Sequence, residues 1–446
     1  VFCIMTKYFG TDGIRGVYGS PTMNDSFAQK VGFAIGEFLA QQSPTPVVII
    51  GRDTRPSGAS LQKSITQGLL ATGVRAHNAG ILPTPALAFG VIHKRADFGV
   101  MITASHNPHP DNGIKCFSSL GTKLEQEEEE ILESLIDQNH AVPHDSDTSH
   151  PQPLVKDYLS QVSKFFSELN LSGTRVCLDL ANGATCETTP RVFKNLGASV
   201  ITSHRGEGII NKGCGSEDLQ SLQLLVQKEQ ADLGIAHDGD GDRVRFVDSK
   251  GRVVDGDQIL GLLALQAQRD GKLNASKFVA TIHSNSGLKA SLSKMDISTF
   301  TSDVGDKNVY LKMLETGCNW GGESSGHIIC TDYLPTGDGL FAALSVLQAM
   351  KDQSRLLEDL AKQIILWPSL SGSFEVSKKV PIQELPELFK TVQKEEKILK
   401  DEGRILLRYS GTESKVRLLV EATSEKLVHS SFNNIKLAIQ NSLSST

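Results

Sequence analysis

The chain alternates short apolar runs with stretches of helical periodicity. Val47-Val48-Ile49-Ile50 reads as a buried strand, and residues 57–72 follow with Leu61, Ile65, Leu69 and Leu70 at helical spacing. Gly73 stops that helix before another strand near Val74. Such a unit predicts parallel strands with helices on the sheet faces. A strand over 98–103 ends just before Ala104-Ser105-His106. The pattern returns as a strand at 175–180, a helix at 187–196, and strands at 199–203 and 231–236. A strand at 278–283 leads to a helix near Ser286, and 339–350 reads as a further helix.

Polarity breaks this pattern at three places. Residues 140–153 are polar with three prolines and read as a linker; further boundaries fall near 251–257 and 368–372. Beyond the last one the order changes to a strand at 374–380, a helix at 384–399, strands at 405–408 and 416–421, and a helix at 426–443. The expectation is three similar α/β domains (1–150, 151–252, 253–369) followed by a C-terminal α+β domain (370–446). The acidic run at 125–130 reads as a solvated helix face.

A length of 446 residues suits about three domains, or four small ones. With 39% hydrophobic and 22% charged residues, disordered and coiled-coil classes are excluded for the chain as a whole. The net charge of −6 and the lack of a Lys/Arg run argue against a nucleic-acid binder, so an anionic substrate must be met by a few placed cations. The seven cysteines are odd in number, widely spaced and without C-x-x-C, which excludes a disulfide framework or a zinc ribbon and predicts a cytoplasmic protein. No apolar run approaches the ~18–20 residues of a membrane span. The opening Val1-Phe2-Cys3-Ile4-Met5 is too short for a signal-peptide core, and Met5 is the expected start.

Five segments carry chemistry. Asp238-Gly239-Asp240-Gly241-Asp242-Arg243 places three carboxylates at alternate positions in a tight loop after a strand. Their mutual repulsion demands a cation, and hard oxygen ligands suit Mg²⁺. An EF-hand is excluded, because Arg243 and Ser249 occupy the positions that need Gly and Glu. Thr103-Ala104-Ser105-His106-Asn107-Pro108 lies at the C-terminal end of a strand, where open α/β sheets bind ligands, and offers Ser105 as a nucleophile. Gly321-Gly322-Glu323-Ser324-Ser325-Gly326-His327 matches the G-x-S-x-G elbow in form, but a strand-like run follows it where a helix is required. Its Glu and Ser side chains suit sugar hydroxyls. Arg408-Tyr409-Ser410-Gly411-Thr412-Glu413-Ser414-Lys415-Val416-Arg417 brackets a Ser-Gly-Thr turn with two arginines, a phosphate cradle by its donors. No Walker A motif occurs. Gly10-Thr11-Asp12-Gly13-Ile14-Arg15-Gly16 adds a glycine loop with an arginine able to clamp a phosphoryl group.

In this order the five segments resemble the α-D-phosphohexomutase superfamily, from Met5 to about Glu421, and the opening 7–16 is similar to that of the phosphoglucosamine mutases within it. The resemblance implies four domains around a central cleft. It implies that Ser105 carries the phosphoryl group, and that Asp238, Asp240, Asp242 and the phosphate on Ser105 bind one Mg²⁺ per chain. Glu323 and Ser325 would hold sugar hydroxyls. Arg408, Ser410, Gly411, Thr412 and Arg417 would bind the non-reacting phosphate, with Arg243 a further substrate contact. Arg15, Lys115 and His327 would assist proton transfer and charge at the reacting end. The reaction implied interconverts glucosamine 6-phosphate and glucosamine 1-phosphate through a 1,6-bisphosphate, towards UDP-N-acetylglucosamine and cell-wall precursors, in a monomer or homodimer. Rival readings are the same chemistry on glucose or mannose phosphates, a metal-dependent phosphatase, and a non-catalytic phosphosugar-binding protein. Ser324 stands where the glucosamine branch often has Gln. Tyr409 and Ser414 replace two prolines common in the cradle, which predicts a less rigid loop.

Overall fold

The computed structural model describes residues 7–138, 150–410 and 414–443. Cys3, Gly411, Thr412 and most of the 140–153 linker lie outside the described residues. Two compact units divide the chain: Val1–His283 with Thr299–Lys362, and Ser284–Ser298 with Gln363–Thr446.

The first sheet takes β1 (Ile14–Val17), β2 (Val47–Arg52), β3 (Arg75–Ile81), β4 (Phe98–Ile102), β5 (Asp111–Ser118) and β6 (His150–Pro151) in the order β1-β5-β4-β2-β3-β6. Helices α1 (Asp25–Ala40), α2 (Gly58–Ala71), α3 (Thr84–Lys94) and α4 (Gln126–Asp137) accompany it. The second sheet takes β7 (Arg175–Asp179), β8 (Ser199–Ser203), β9 (Leu233–His237), β10 (Val244–Asp248) and β11 (Val253–Val254) in the order β11-β10-β9-β7-β8. Its helices are α5 (Val155–Phe165), α6 (Thr188–Asn195) and α7 (Gln220–Glu229). Between α8 (Gly256–Arg269) and α11 (Gly339–Gln353) the third sheet takes β12 (Lys277–Thr281), β13 (Ser298–Ser302), β14 (Trp320–Gly322) and β15 (Ile328–Cys330). Its order is β13-β12-β14-β15, with α9 (Ser286–Ser293) and α10 (Asp306–Thr316) in the connections.

The three sheets share one plan. In each, two parallel neighbours (β2/β4, β7/β9, β12/β14) are extended by an antiparallel hairpin (β4/β5, β9/β10, β14/β15). The sheets are therefore mixed: the parallel strands that the sequence pattern suggests are joined in each by an antiparallel one. The three hairpin turns hold Ser105, Asp238 to Asp242, and Glu323 with Ser325. The parallel strands are apolar because helices cover both faces; β4 and β9 are buried along their whole lengths.

The C-terminal domain is α+β. An antiparallel sheet of β16 (Ser369–Glu375), β18 (Lys415–Ala422) and β17 (Gly403–Tyr409) pairs in the order β16-β18-β17, with α12 (Pro386–Leu399) and α13 (Glu425–Leu443). Here β16 starts at Ser369, inside the stretch read as a boundary, and ends at Glu375, well short of residue 380. Ser and Gly hide a strand whose alternate residues Leu370 and Phe374 pack on the core. The acidic run is also only partly a solvated face. Glu125 and Glu128 form a capping box at the start of α4, and Glu129 pairs with Lys307 at 3.0 Å. No helix among the described residues is long and apolar enough to cross a membrane.

Candidate active site

Ser105 follows β4 with φ at +52° and no solvent exposure. Its backbone is tightly held. Its N–H donates to Thr103 Oγ1 at 2.9 Å, and its carbonyl accepts from Arg55 Nη2 at 3.0 Å and Asn211 Nδ2 at 2.7 Å. Arg55, fully buried, also donates to the carbonyls of Asn107, Pro108 and Asp111 and to the Asp53 carboxylate. The Ser105 Oγ donates to Asp238 Oδ2 at 2.6 Å and lies 3.2 Å from His106 Nδ1. Burial, then the nearby Arg243 charge, push the His106 imidazole down to about 4, so it is neutral at pH 7.

Asp238, Asp240 and Asp242 are all buried, and one oxygen of each lies within 4.8 Å of the others. Gly241, at φ +73°, closes the turn, and the Gly241 and Arg243 N–H groups donate to Asp238 Oδ1. Gly239 lies hard against Gly183, its carbonyl accepting from Ala184 N–H at 2.8 Å, which leaves no room for a side chain on Gly183, and the Ser105 carbonyl leaves none on Gly239. Lys115 Nζ, on β5, sits 2.8 Å from both Asp240 Oδ2 and Asp242 Oδ2, and 3.2 Å from Asp12 Oδ2. Burial opposes its charge, but the three carboxylates outweigh burial and hold it well above the ordinary lysine value. Lys115 does not neutralise the whole cluster. Burial, then repulsion from Asp242 and Asp240, push the Asp238 carboxyl well above its usual range. Oδ1 of Asp240 and Oδ1 of Asp242 are buried and accept no hydrogen bond. Three converging buried carboxylates with two orphaned oxygens fit a hard divalent cation, whose oxygen ligands stand at about 2.1 Å for Mg²⁺.

The third turn is tied to the second. Val244 N–H donates to the Gly326 carbonyl at 3.1 Å, and Arg243 bridges His327 along the backbone. Beside them is a cavity of about 350 Å³ whose walls include Asp12, Asp242, Arg243, Glu323, Ser325 and His327. Glu323 accepts from Gly305 N–H at 2.9 Å, and Ser325 Oγ is buried without a partner. Arg243 is mostly buried, and its Nε also lacks a partner. Gly337 N–H donates to His327 Nε2, which puts the proton of a neutral ring on Nδ1, 3.7 Å from Asp242 Oδ1. Arg15 pairs with Asp12 and donates to Asn107 Oδ1 at 3.0 Å. Ser105 does not line this cavity.

In the C-terminal domain, Arg408 on β17 stands directly opposite Arg417 on β18, and both are exposed. Two facing guanidinium groups offer forked donors that suit an anion. Ser410 lies at the end of β17, its carbonyl held by Lys379 Nζ at 2.6 Å. Tyr409 ties the end of β17 to Val380 through its hydroxyl. Its OH donates to the Val380 carbonyl at 2.6 Å and accepts from Val380 N–H at 3.3 Å.

Sequence reasoning missed Asp53, Arg55 and Asn211, which fix the Ser105 loop, and Lys123, which bridges Asp12 and Asp306 at the edge of the cavity. A signal for Arg55 was present: Asp53-Thr54-Arg55 directly follows β2, at the same strand end as Ser105.

Four domain descriptions of one family match this chain in order. They are phosphoglucomutase/phosphomannomutase α/β/α domain I over residues 6–142, domain II over 156–251, domain III over 255–366, and the C-terminal domain over 374–437. Curated relatives include a phosphoglucosamine mutase from Mannheimia succiniciproducens, 41% identical over 97% of this chain and 99% of its own. Another, from Haemophilus influenzae, is 40% identical over 97% and 98%. Among solved structures, a phosphoglucomutase/phosphomannomutase family protein from Burkholderia thailandensis superposes with a TM-score of 0.82 at 22% identity over 98% of both chains. Aspergillus fumigatus N-acetylphosphoglucosamine mutase, in complex with GlcNAc-6P and magnesium, does so with a TM-score of 0.67 at 17% identity, over 98% of this chain and 96% of its own. With all four domains present in order along nearly its whole length, the chain belongs to the phosphoglucomutase/phosphomannomutase family and is a mutase.

Proposed function

We propose that this mutase interconverts glucosamine 6-phosphate and glucosamine 1-phosphate in the cytoplasm, through a phosphoserine at Ser105 and a 1,6-bisphosphate. The observation that carries the mechanism is the 2.6 Å hydrogen bond from Ser105 Oγ to Asp238, which sets the hydroxyl against three buried carboxylates. The glucosamine assignment is supported by relatives about 40% identical over nearly the full length.

Asp238, Asp240, Asp242 and the phosphate on Ser105 would hold one Mg²⁺. When bound, the ion supplies positive charge against the phosphoryl oxygens. Asp12, Asp240 and Asp242 hold Lys115 charged, which suits it to neutralise charge at the reacting end. Burial disfavours charge on His327, but Asp306 and Asp242 outweigh it and raise its pKa, which suits a proton donor. Arg15 and Arg243 meet phosphoryl oxygens, and Glu323 with Ser325 holds sugar hydroxyls. Arg408, Ser410, Gly411, Thr412 and Arg417 bind the phosphate that does not react. Full burial of Ser105 keeps water away from its hydroxyl.

The test is ³¹P NMR of the protein with Mg²⁺, a trace of sugar bisphosphate and glucosamine 6-phosphate, with glucose and mannose 6-phosphates in parallel. The expected result is a glucosamine 1-phosphate signal, the strongest of the three. Inorganic phosphate alone would make the protein a phosphatase. A stronger signal from glucose or mannose would keep the mechanism and overturn the substrate, giving weight to Ser324 on the cavity wall.

A further inference from the structure

The second α/β domain holds a separate donor cluster. Asp179 ends β7, His204 lies one residue beyond the end of β8, and Cys214 follows in the connection to α7. Strands β7 and β8 run parallel with Asp179 opposite Ser203, so the sheet itself brings His204 beside Asp179. One donor atom of each of the three residues lies within 4.8 Å of the other two. His204 Nδ1 lies 3.1 Å from Asp179 Oδ1 and is shielded from solvent. The Asp179 carboxylate is oriented by the N–H groups of Ala181 at 3.0 Å and Gly215 at 3.1 Å. Such supporting bonds fix a metal-ligating carboxylate in place.

The donor chemistry differs from that of the aspartate turn. Carboxylate, imidazole and thiol together are the set that Zn²⁺ and Co²⁺ take at tetrahedral sites, whereas Mg²⁺ takes oxygen. His204 is part-exposed, with 28% of its side chain accessible, while its Nδ1 faces Asp179 away from solvent. We propose that Asp179, His204 and Cys214 form a second metal site, for a zinc-class divalent ion. The site is coupled to the reacting serine through one residue. Asn211 lies between His204 and Cys214 in the chain, its N–H donates to the Ala181 carbonyl at 3.0 Å, and its side chain donates to the carbonyls of Ser105 and Asn107. An ion that clamps Asp179, His204 and Cys214 together stiffens the segment from which Asn211 holds the Ser105 loop.

The probe is Co²⁺, added to the full-length protein in excess Mg²⁺ so that the aspartate turn is occupied. One equivalent is expected to give tetrahedral visible bands and a thiolate-to-cobalt charge-transfer band. Cys214→Ser should lose the charge-transfer band, and Cys186→Ser, whose thiol only reaches the His204 carbonyl at 3.8 Å, should keep it. His204→Asn tests the site independently, because Asn tolerates the left-handed backbone at φ +49°; it should weaken Co²⁺ binding at least about tenfold. Loading should also slow hydrogen exchange over residues 205–215. The absence of a charge-transfer band, or a band that survives Cys214→Ser and vanishes in Cys186→Ser, would overturn the site. A band without slowed exchange would overturn its coupling to Asn211.

Discussion

Arg55 offers the sharpest test of how the Ser105 loop is held. Its guanidinium makes five hydrogen bonds: Nε to Asp53 at 3.0 Å, Nη1 to the carbonyls of Pro108 at 2.7 Å and Asp111 at 2.9 Å, and Nη2 to those of Ser105 at 3.0 Å and Asn107 at 2.9 Å. Arg55→Lys keeps the charge but offers only three donors on one nitrogen. At least two bonds are therefore lost, at about 1.5–3 kcal/mol for each bond to a charged donor. Asn211 still serves two of the carbonyls, so the lower end applies, about 3 kcal/mol in all. If that energy holds the serine in its productive position, kcat falls about a hundredfold. KM should stay within about threefold, because Arg55 does not line the sugar cavity and binding there is left intact. Steady-state kinetics, with hydrogen exchange of residues 103–111 read in parallel, gives the answer. Faster exchange in the loop with unchanged kcat would refute the argument that this backbone cage sets the reaction geometry.

Other substitutions probe the remaining parts. Asp338 caps α11 through the Leu340 and Phe341 N–H groups, and burial, against those bonds and that of Tyr158, pushes it up to about 6. Its folded value lies above the unfolded value of about 3.9, so the native state holds a proton that the unfolded state releases between them, and stability falls as pH rises from about 4 through 6. Asp338→Asn should raise the melting temperature at pH ~7.5, by an amount corresponding to at most about 3 kcal/mol, and leave it unchanged at pH ~4; a lower value at the higher pH would show that the carboxylate stabilises the fold. Lys115→Met leaves buried carboxylates facing one another and should destabilise the protein by about 3–5 kcal/mol without Mg²⁺, an effect partly reversed by the ion; a melting temperature equal to wild type without Mg²⁺ would contradict the cluster's electrostatics. Arg417→Ala should raise KM for the phosphosugar about tenfold or more, by removing a charged phosphate donor, and an unchanged KM would move that clamp elsewhere.

Local pattern reveals some of this architecture and hides the rest. The buried strands announce themselves through apolar runs such as Val47 to Ile50, and the aspartate turn through repulsion that no ordinary turn tolerates. The hairpin plan repeated in three sheets is not visible, because antiparallel β5, β10 and β15 carry no pattern that separates them from parallel strands. Arg55 and Asn211 act through backbone carbonyls 50 and 106 residues away, contacts that leave no trace in side-chain spacing. Strand β16 is masked by Ser369, Ser371, Gly372 and Ser373, and only its pairing with β18 reveals it.

The central claim is that Ser105 carries the phosphoryl group. The direct measurement is peptide mass spectrometry of the protein after incubation with a sugar 1,6-bisphosphate and Mg²⁺, and again after a chase with glucosamine 6-phosphate. The account predicts one phosphoryl group on the peptide containing Ser105, lost in the chase as bisphosphate forms, and neither label nor turnover in Ser105→Ala. Label on a different residue, or near wild-type turnover in Ser105→Ala, would contradict it.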